Sequence, residues 1–379
     1  MSANLTLPQL RRYAISRSLF TPAKLEDAVR RLGFVQADPI RAPARAQDLT
    51  LRHRVVAYRA GDLERAYPQL AIEEDAFINY GFLPRAHHLL MHPRTPRTRW
   101  SPATARRAQA VLAFVRDRGE AHPREVDAQF AHGAVTNYWG GSSNATTHLL
   151  DGMHYRGLLR VVRRDNGIRV YAPHEPAVPP AGAAQRHARL DALVDIVVHK
   201  YAPLPLQSLR PLVRRLRYGA PQWRSALDAA LGRARERLAH ARVDGRDWFW
   251  PADEDPQQAD TAFEDRVRLL APFDPVVWDR IRFELFWHWA YRFEAYTPPA
   301  RRKLGYYALP LLWRDNVIGW ANLTVTGAVL QSSLGFVTGR PPRERAFRQG
   351  LEQELFDLRA FLRLSTDDGR PRATERRPG

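Results

Sequence analysis

Two stretches of this chain repeat one order of predicted elements, in which three helices are followed by a β-hairpin. In the first stretch, residues 101–175, apolar residues recur at helical spacing in three segments, and two alternating strands then flank Asp165-Asn166-Gly167. Asn-Gly is a strong signal for the two-residue turn of a hairpin. The order is typical of a winged helix, whose third helix enters the DNA major groove while the hairpin contacts the backbone. It predicts a nucleic-acid-binding module.

The same order returns after a proline-rich segment, AVPPAG. Predicted helices lie at 185–201, 205–217 and 221–238. The strands LAHARV and DWFWPA then lie on either side of Asp244-Gly245, a second short-turn signal. Residues 1–100 open in a similar way, with predicted helices at 7–18 and 22–32. The copies share no convincing sequence identity, so the repeat is one of pattern.

From about residue 264 the chain changes to aromatic, strand-like segments such as KLGYYALPLLWRD and NVIGWANLTVTGAV. We expect a small β domain here, with a helix from about 341 to 363 packed at its end. The final segment, 366–379, is predicted to be disordered. The domain boundaries that follow are 1–100, 101–178, 184–262 and 263–365.

The chain carries a formal net charge of +18, from 58 basic and 40 acidic residues, with a pI of about 10.8. A field of that sign attracts polyanions, and nucleic acid is the partner it favours first. Only three basic residues are lysines, as the codon bias of a GC-rich genome would produce. That bias does not explain the excess of positive charge, for which an anionic membrane surface or general solubility is the alternative explanation.

There is no cysteine, which removes disulfides, thiolate zinc sites and cysteine nucleophiles from consideration. The segment MSANLTLPQLRRYAISRSLF lacks the regions of a secretion signal. No stretch approaches the ~20 apolar residues of a membrane span, since Glu284 and His288 interrupt even FELFWHWAYRF. We therefore expect a soluble cytoplasmic protein, associated with the nucleoid and not with a membrane.

Three stretches carry a resemblance to a known family: LGFVQADPI at 32–40, the segment from Tyr138-Trp139 to Arg164, and LLAPFDPVVWDR with RFEAYTPPARRKLGYYALPLLW at 269–313. Through them the chain resembles the bacterial winged-helix DNA glycosylases of the YcaQ type, which remove alkylated bases and unhook interstrand crosslinks. The resemblance implies an α+β, mainly helical fold: three tandem winged-helix domains plus a small C-terminal β-barrel-like domain, arranged around DNA.

In that family a Gln-hydrophobic-Asp or Gln-hydrophobic-Gln motif carries the chemistry, and Gln36, Ala37 and Asp38 match its acidic form here. The resemblance implies a monofunctional DNA glycosylase that hydrolyses the N-glycosidic bond of N7-alkylated guanine in double-stranded DNA, in monoadducts and in crosslinks. An N7-alkylated guanine is already cationic and leaves as a neutral base, so no general acid is required. One carboxylate, Asp38, can stabilise the oxocarbenium-like sugar and orient the water, which the Gln36 amide can hold. Ordinary glycosidases need two carboxylates.

The residues of this motif also have a purely structural interpretation. Asp38 precedes Pro39, and Asp-Pro often starts a helix, with Asp as the N-cap and Pro at the first helical position. Gln36 would then be an ordinary polar strand residue. The two interpretations can hold together.

Several polar residues near the predicted motif and in the first winged-helix unit are candidate DNA contacts. Those that follow the motif are Arg41, Arg45, Arg52, His53 and Arg54; those on the first hairpin are Arg163, Arg164 and Arg169; those at the start of the third helix are Ser143, Asn144 and His148. Solvation of the surface is the alternative for each of them. The basic run Arg214, Arg215 and Arg217 is interpreted as a solvated helix face.

No metal and no organic cofactor is expected. His87, His88 and His92 have a spacing that a metal can use, but no carboxylate pattern in the sequence completes a recognised site. A lyase reaction would need an amine, and none of Lys24, Lys200 and Lys303 lies in a recognised motif, so Schiff-base chemistry is not expected.

One segment departs from the family pattern, in which an aromatic-rich stretch carries His-Glu before Leu-Pro. The corresponding segment here, Ile72 to Pro84, has no histidine, so crosslink unhooking is a weaker expectation than monoadduct excision. Its acidic residues Glu73, Glu74 and Asp75 are candidates for a second carboxylate.

A winged-helix transcription regulator is the rival function. Regulators usually carry one such unit with a ligand or dimer domain, whereas this chain has three predicted units and no heptad pattern, which favours a monomer. A sharp sequence preference in binding would favour the regulator, and damage-dependent binding would favour repair.

Overall fold

The fold is known from a computed structural model, which describes residues 5–131, 133–136, 142–175, 177–258, 265–364 and 373–375. Helix outweighs strand, and the class is α+β. The α-helices are α1 Leu7–Ser18, α2 Leu25–Leu32, α3 Ala46–Leu51, α4 Asp62–Ala66, α5 Arg85–Met91, α6 Pro102–Arg118, α7 Pro123–Phe130, α8 Ala145–Tyr155, α9 Ala183–Tyr201, α10 Leu206–Arg215, α11 Leu227–Arg237, α12 Arg280–Trp287 and α13 Arg345–Phe361. The strands are β1 Val35–Gln36, β2 Ile72–Ala76, β3 Tyr80–Pro84, β4 Ala134–Thr136, β5 Ser142–Asn144, β6 Leu159–Asp165, β7 Ile168–Pro173, β8 Leu204–Pro205, β9 Ala239–Val243, β10 Arg246–Trp250, β11 Val267–Leu269, β12 Leu309–Trp313, β13 Asn316–Thr326, β14 Val329–Phe336 and β15 Ala373–Glu375.

The chain divides into two compact units, each built from separate segments. The first unit comprises 1–62, 196–211 and 235–379, and the second comprises 63–195 and 212–234. The division into four domains expected from the sequence, and the winged-helix interpretation of the modules, stay predictions.

A five-stranded sheet is the largest element of the first unit, in the order β11-β12-β13-β14-β15. Its strands are antiparallel except for the parallel pair β14 and β15. Burial alternates along most of β13, which therefore turns one face to the core. The end strands of this order do not pair with each other in the described residues, so the expected barrel is wrong: the sheet is open.

The apolar core of the first unit lies where this sheet meets α1 and α12. Its buried members are Ile15, Leu270, Val276, Val277, Phe283, Tyr291, Ala308, Leu312 and Val317. Burying side chains of this size contributes about 1.5–3 kcal/mol each.

The second unit contains the first predicted module, with α6, α7 and α8 followed by the hairpin of β6 and β7. The hairpin turn has positive φ at Asn166 (50°) and Gly167 (87°), as a type I′ turn requires. A sequence-predicted hairpin also forms from β9 and β10, where Asp244 and Gly245 have φ of 48° and 72°. Both hairpins are confirmed.

Most sequence-predicted helices are also present. The third helix of the first module begins at Ala145 and not at Ser143, because Asn144 is its N-cap and accepts the N–H of Thr147. The segment predicted to be disordered, 366–379, lies outside the described residues except for β15. None of the described helices is long and apolar enough to cross a membrane.

Candidate active site around Gln36 and Asp38

Gln36 and Asp38 lie in the first unit, at the end of the short strand β1. Phe34 and Val35, just before them, are completely buried and anchor the strand. Both polar side chains are largely buried as well, with 6% of Gln36 and 9% of Asp38 exposed. The motif therefore lies in a semi-enclosed environment where charge is poorly solvated.

The Asp38 carboxylate is held at one oxygen only. Its Oδ1 accepts the backbone N–H of Ile40 at 2.9 Å, and the backbone N–H of Asp38 donates to Gln47 Oε1 at 3.3 Å. This is a local Asx turn. Oδ2 has no hydrogen-bond partner among the described residues, which leaves it available to a water or a substrate.

No helix begins at Pro39 in the part of the chain described, since the next one is α3, which starts at Ala46. The alternative in which Asp38 serves as a helix N-cap is therefore wrong. Burial raises the pKa of Asp38, and the Ile40 N–H opposes that shift. A raised pKa makes the carboxylate a stronger base than an ordinary aspartate.

Gln36 carries an acceptor that the protein leaves unmatched. Its side-chain Oε1 is buried and has no hydrogen-bond partner in the described structure. A buried, unpaired amide oxygen is costly, and Gln36 shares this state with other buried side chains such as Ser208 and Trp248. An amide oxygen two residues from a carboxylate can hold the O–H of a water.

Two tyrosines of one loop, Tyr296 and Tyr307, lie within reach of the charge of Asp38, and the sequence reasoning did not single them out. Burial raises the pKa of Tyr296 and of Tyr307, and the negative charge of Asp38 raises both further. Tyr306 contributes to the same electrostatic group. The signal was present in the sequence, because all three belong to the block at 269–313 that carried the family resemblance most specifically.

The predicted phosphate contacts closest to the motif are mostly buried. Arg54 is fully buried and makes a two-pronged ion pair with Asp274, at 2.7 and 2.9 Å. Arg52 pairs with the buried Glu354, and His53 faces the carbonyl of Leu269 at 3.0 Å. Prediction of DNA contact is wrong for Arg52, His53 and Arg54, because their side chains complete the fold instead.

Arg41 and Arg45 differ from these three. Arg41 is exposed and Arg45 is half-buried. Both lie in the loop between Asp38 and α3. Contact with DNA stays a prediction for these two.

The arginines of the first hairpin are held in ion pairs within the second unit. Arg163 pairs with Glu120 at 2.8 Å and with Asp165, and Arg164 pairs with the buried Glu74. Arg169 lies 2.6 Å from Asp151 and 3.3 Å from Glu74. These pairs position the hairpin, and its contact with DNA stays a prediction.

The candidate DNA contacts at the start of α8 differ in their surroundings. Asn144 is exposed but its side chain caps α8 and donates to Asp127 at 3.2 Å. His148 is exposed on α8. The side chain of Ser143 lies outside the described part of the chain. Arg214, from the basic run, pairs with Asp228 on an exposed surface, as expected for a solvated face.

The acidic residues of β2 are held in ion pairs, so none of them is available as a second catalytic carboxylate. Glu73 pairs with Arg85 and Arg160, at 2.7 and 2.9 Å, and Glu74 with the hairpin arginines. Asp75 accepts from His88 and His92 at 3.0 and 3.1 Å and pairs with Arg94 at 3.1 Å.

Asp75, His88 and His92 nonetheless form a group whose ligand atoms lie within 4.8 Å of one another, as a metal site would require. The expectation that no carboxylate joins these histidines is therefore wrong. Burial lowers the pKa of His92 to about 3, so the imidazole is neutral. Arg94 already supplies the positive charge opposite Asp75, and the group is a buried hydrogen-bond network.

Lys200 is the lysine with an unusual environment. It is buried, and its Nζ donates to the carbonyl oxygen of Phe34, just before the motif. Burial lowers its pKa to about 7, and the charge of Arg54 lowers it in the same direction.

A half-satisfied carboxylate two residues from an unmatched amide, in a strongly basic chain, suits a hydrolase that acts on a polyanion. Comparison with known proteins identifies the class: a profile of the family described as DNA glycosylase AlkZ-like matches residues 29–361, and the chain belongs to that family. A solved structure, the DNA glycosylase AlkZ of Streptomyces sahachiroi, is similar with a TM-score of 0.62 and 14% sequence identity, over 98% of this chain and 100% of that one. At that identity the likeness shows a shared fold. The family expected from the sequence is confirmed.

Proposed function

We propose that this DNA glycosylase hydrolyses the N-glycosidic bond of N7-alkylated guanine in double-stranded DNA. The observation that carries the proposal is the Asp38 carboxylate, buried and bound at only one oxygen, two residues from the unpartnered amide oxygen of Gln36. No general acid is needed for such a base, because N7 alkylation has already placed a positive charge on the purine.

The reaction requires Asp38, Gln36 and one water molecule, and no further reactant. The bond between C1′ and N9 breaks, and its electron pair moves onto the purine, which leaves as a neutral base. The sugar passes through an oxocarbenium-like state that the negative charge of Asp38 stabilises. Water attacks C1′ and loses a proton to Asp38 Oδ2, leaving an abasic site.

Gln36 holds the attacking water in this scheme. Its unmatched Oε1 accepts one O–H of the water, and Asp38 Oδ2 accepts the other, so the oxygen lone pair turns toward C1′. The raised pKa of Asp38 strengthens the carboxylate as the acceptor of the proton.

The environment of the buried lysine favours a monofunctional reaction, which does not pass through a Schiff base. Lys200 has a lowered pKa, but its amine is buried and donates to the Phe34 carbonyl. Monoadducts are the primary substrate in this proposal and crosslinks a secondary one, since Ile72 to Pro84 lacks the family histidine and its acidic residues are held in ion pairs. We propose that the protein acts as a monomer, without a metal or organic cofactor.

The test is the release of 7-methylguanine from a methylated duplex. We expect Asp38→Asn to lower kcat/KM by about 100-fold or more, the usual contribution of a positioned base. Asp27→Asn is the matched control, because Asp27 is exposed and, among the described residues, pairs with Arg30 alone. Equal release by wild type and Asp38→Asn would remove Asp38 from the mechanism.

The pH profile provides a second reading of the same experiment. Because burial raises the pKa of Asp38, the acid limb of kcat/KM is expected above the ordinary aspartate value of about 3.9. Activity falls as the pH drops through that limb, since the protonated carboxyl cannot accept the proton of water.

A further inference from the structure

Two large aromatic side chains protrude from the loop beside Asp38. Tyr296 is 77% exposed and Tyr306 is 44% exposed. Exposed rings that cluster at one place on a surface mark a binding site more often than isolated ones do. The charge of Asp38 reaches this loop, since it contributes to the raised pKa of Tyr296.

The loop that carries them is fixed by hydrogen bonds. The Glu294 carboxylate accepts the backbone N–H groups of Lys303, Leu304 and Gly305, at distances between 2.7 and 3.3 Å. Asn322, on β13, donates to the carbonyl of Leu304 at 2.7 Å. Both ends of the loop are thus tied together, which holds the exposed rings in place before a ligand arrives.

Contacts between aromatic rings also hold this loop in place. Tyr296 meets Phe293 edge to face at 6.0 Å, and Phe293 meets Tyr307 at 5.1 Å and Phe273 at 5.2 Å. The Arg302 guanidinium lies 5.0 Å from the ring centre of Tyr306. The ring of Tyr306 therefore already interacts with one cation.

We propose that Tyr296 and Tyr306 form an aromatic platform that receives the cationic purine beside Asp38 and selects it over neutral bases. The proposal rests on the proposed function and adds the group that recognises the base. The faces of aromatic rings attract cations, and stacking on them tolerates any base sequence. A neutral purine also stacks on the rings but lacks the attraction between a cation and a ring face.

The chemistry predicts which kinetic constant the platform changes. The purine loses its positive charge as the glycosidic bond breaks, so the attraction to the rings is strongest for the bound substrate and weaker in the transition state. An interaction of this kind lowers KM and does not raise kcat. It also weakens the hold on the neutral product, which favours release.

The experiment replaces each ring. We expect Tyr296→Leu and Tyr306→Leu to raise KM for 7-methylguanine DNA about 10-fold each with no loss of kcat, while Tyr296→Phe and Tyr306→Phe stay close to wild type because the ring remains. Phe356→Leu is the control, since Phe356 is 52% exposed on α13 of the same unit. If the Leu variants retain the wild-type KM, the platform is overturned and the proposed function is untouched.

A binding assay separates this proposal from the proposed function. In the Asp38→Asn background, equilibrium Kd values are compared for duplexes with one 7-methylguanine or its neutral isostere 7-methyl-7-deazaguanine. A preference for the cationic base that the Leu variants lose and the Phe variants keep supports the platform even where wild type releases no base. No preference, or one that the Leu variants keep, overturns it.

Discussion

At the scale of single residues, Asp38 is less well matched than the buried carboxylates that complete the fold. Asp274 is matched by Arg54 and Glu354 by Arg52, and Glu294 accepts several backbone N–H groups. Asp38 has one backbone N–H. A buried charge without a counter-ion destabilises the fold. In the proposed function this charge has a use, because it faces the cationic base and the oxocarbenium-like sugar.

Lys200 offers a test of charge burial that is independent of catalysis. Its folded-state pKa of about 7 lies below the unfolded value, so wild type gains stability as the pH rises from about 7 toward the ordinary lysine value. Lys200→Met lacks this titration. We expect the free energy of unfolding of the variant, relative to wild type, to be most favourable near pH 6 and to fall by about 1.4 kcal/mol per pH unit above 7.

Chemical denaturation at pH 6, 8 and 9.5 measures that difference. Lys24→Met is the control, because Lys24 lies on the surface just before α2. A difference between Lys200→Met and wild type that stays constant over the range would contradict the lowered pKa.

At the scale of elements, the loop from Phe293 to Tyr307 depends on Gly305. Its φ of +120° is unfavourable for any residue with a side chain, and an added Cβ would lie 2.4 Å from Asn322 Oδ1. Asn322 is the residue that ties Leu304 down. We expect Gly305→Ala to lower the free energy of unfolding by about 1–3 kcal/mol and to raise KM, because the loop that carries the tyrosines shifts.

Gly327→Ala separates the strain of a positive φ from the collision of the added Cβ with Asn322. Gly327 also has a positive φ, 61°, but a Cβ there meets nothing within 4 Å. Denaturant unfolding and steady-state kinetics of both variants make the comparison. Equal losses of stability, with KM unchanged in both, would show that the contact between Gly305 and Asn322 does not position the loop.

The elements that were predictable from the sequence are those set by local interactions. The hairpin turns at Asn166-Gly167 and Asp244-Gly245 have the positive φ values that their residues favour, so their positions follow from the sequence. The helix after Ser101 is likewise set locally, since the Ser101 side chain accepts the N–H of Thr104.

Interactions between distant segments could not be predicted in the same way. The sequence predicts a DNA contact for Arg54 and does not show its partner, Asp274, which lies 220 positions further along the chain. The open C-terminal sheet was also missed, since strand segments alone do not show whether the end strands of a sheet pair with each other. For the site, the motif supplied Gln36 and Asp38, but the tyrosines became candidates only when tertiary structure brought their loop to Asp38.

At the scale of the whole molecule, the net charge of +18 overstates the number of arginines that can meet a phosphate. Arg54 and Arg94 are buried against carboxylates, and Arg164 is largely so. Only exposed cations release counter-ions from DNA. The salt dependence of binding should therefore reflect the exposed arginines, which include Arg41.

Arg41→Gln tests this distribution. Each phosphate contact steepens the dependence of log Kobs on log salt by about 0.9, so losing Arg41 is expected to reduce the slope by about 1 and to weaken binding to all sequences equally. Arg30→Gln should leave the slope unchanged although Arg30 is 61% exposed, because Glu26 and Asp27 already neutralise it. Titrations of an unmodified duplex between 50 and 200 mM salt, about the range over which such slopes are measured, compare the variants. If the two slopes change alike, binding follows total charge and not the local exposure of Arg41 beside Gln36 and Asp38.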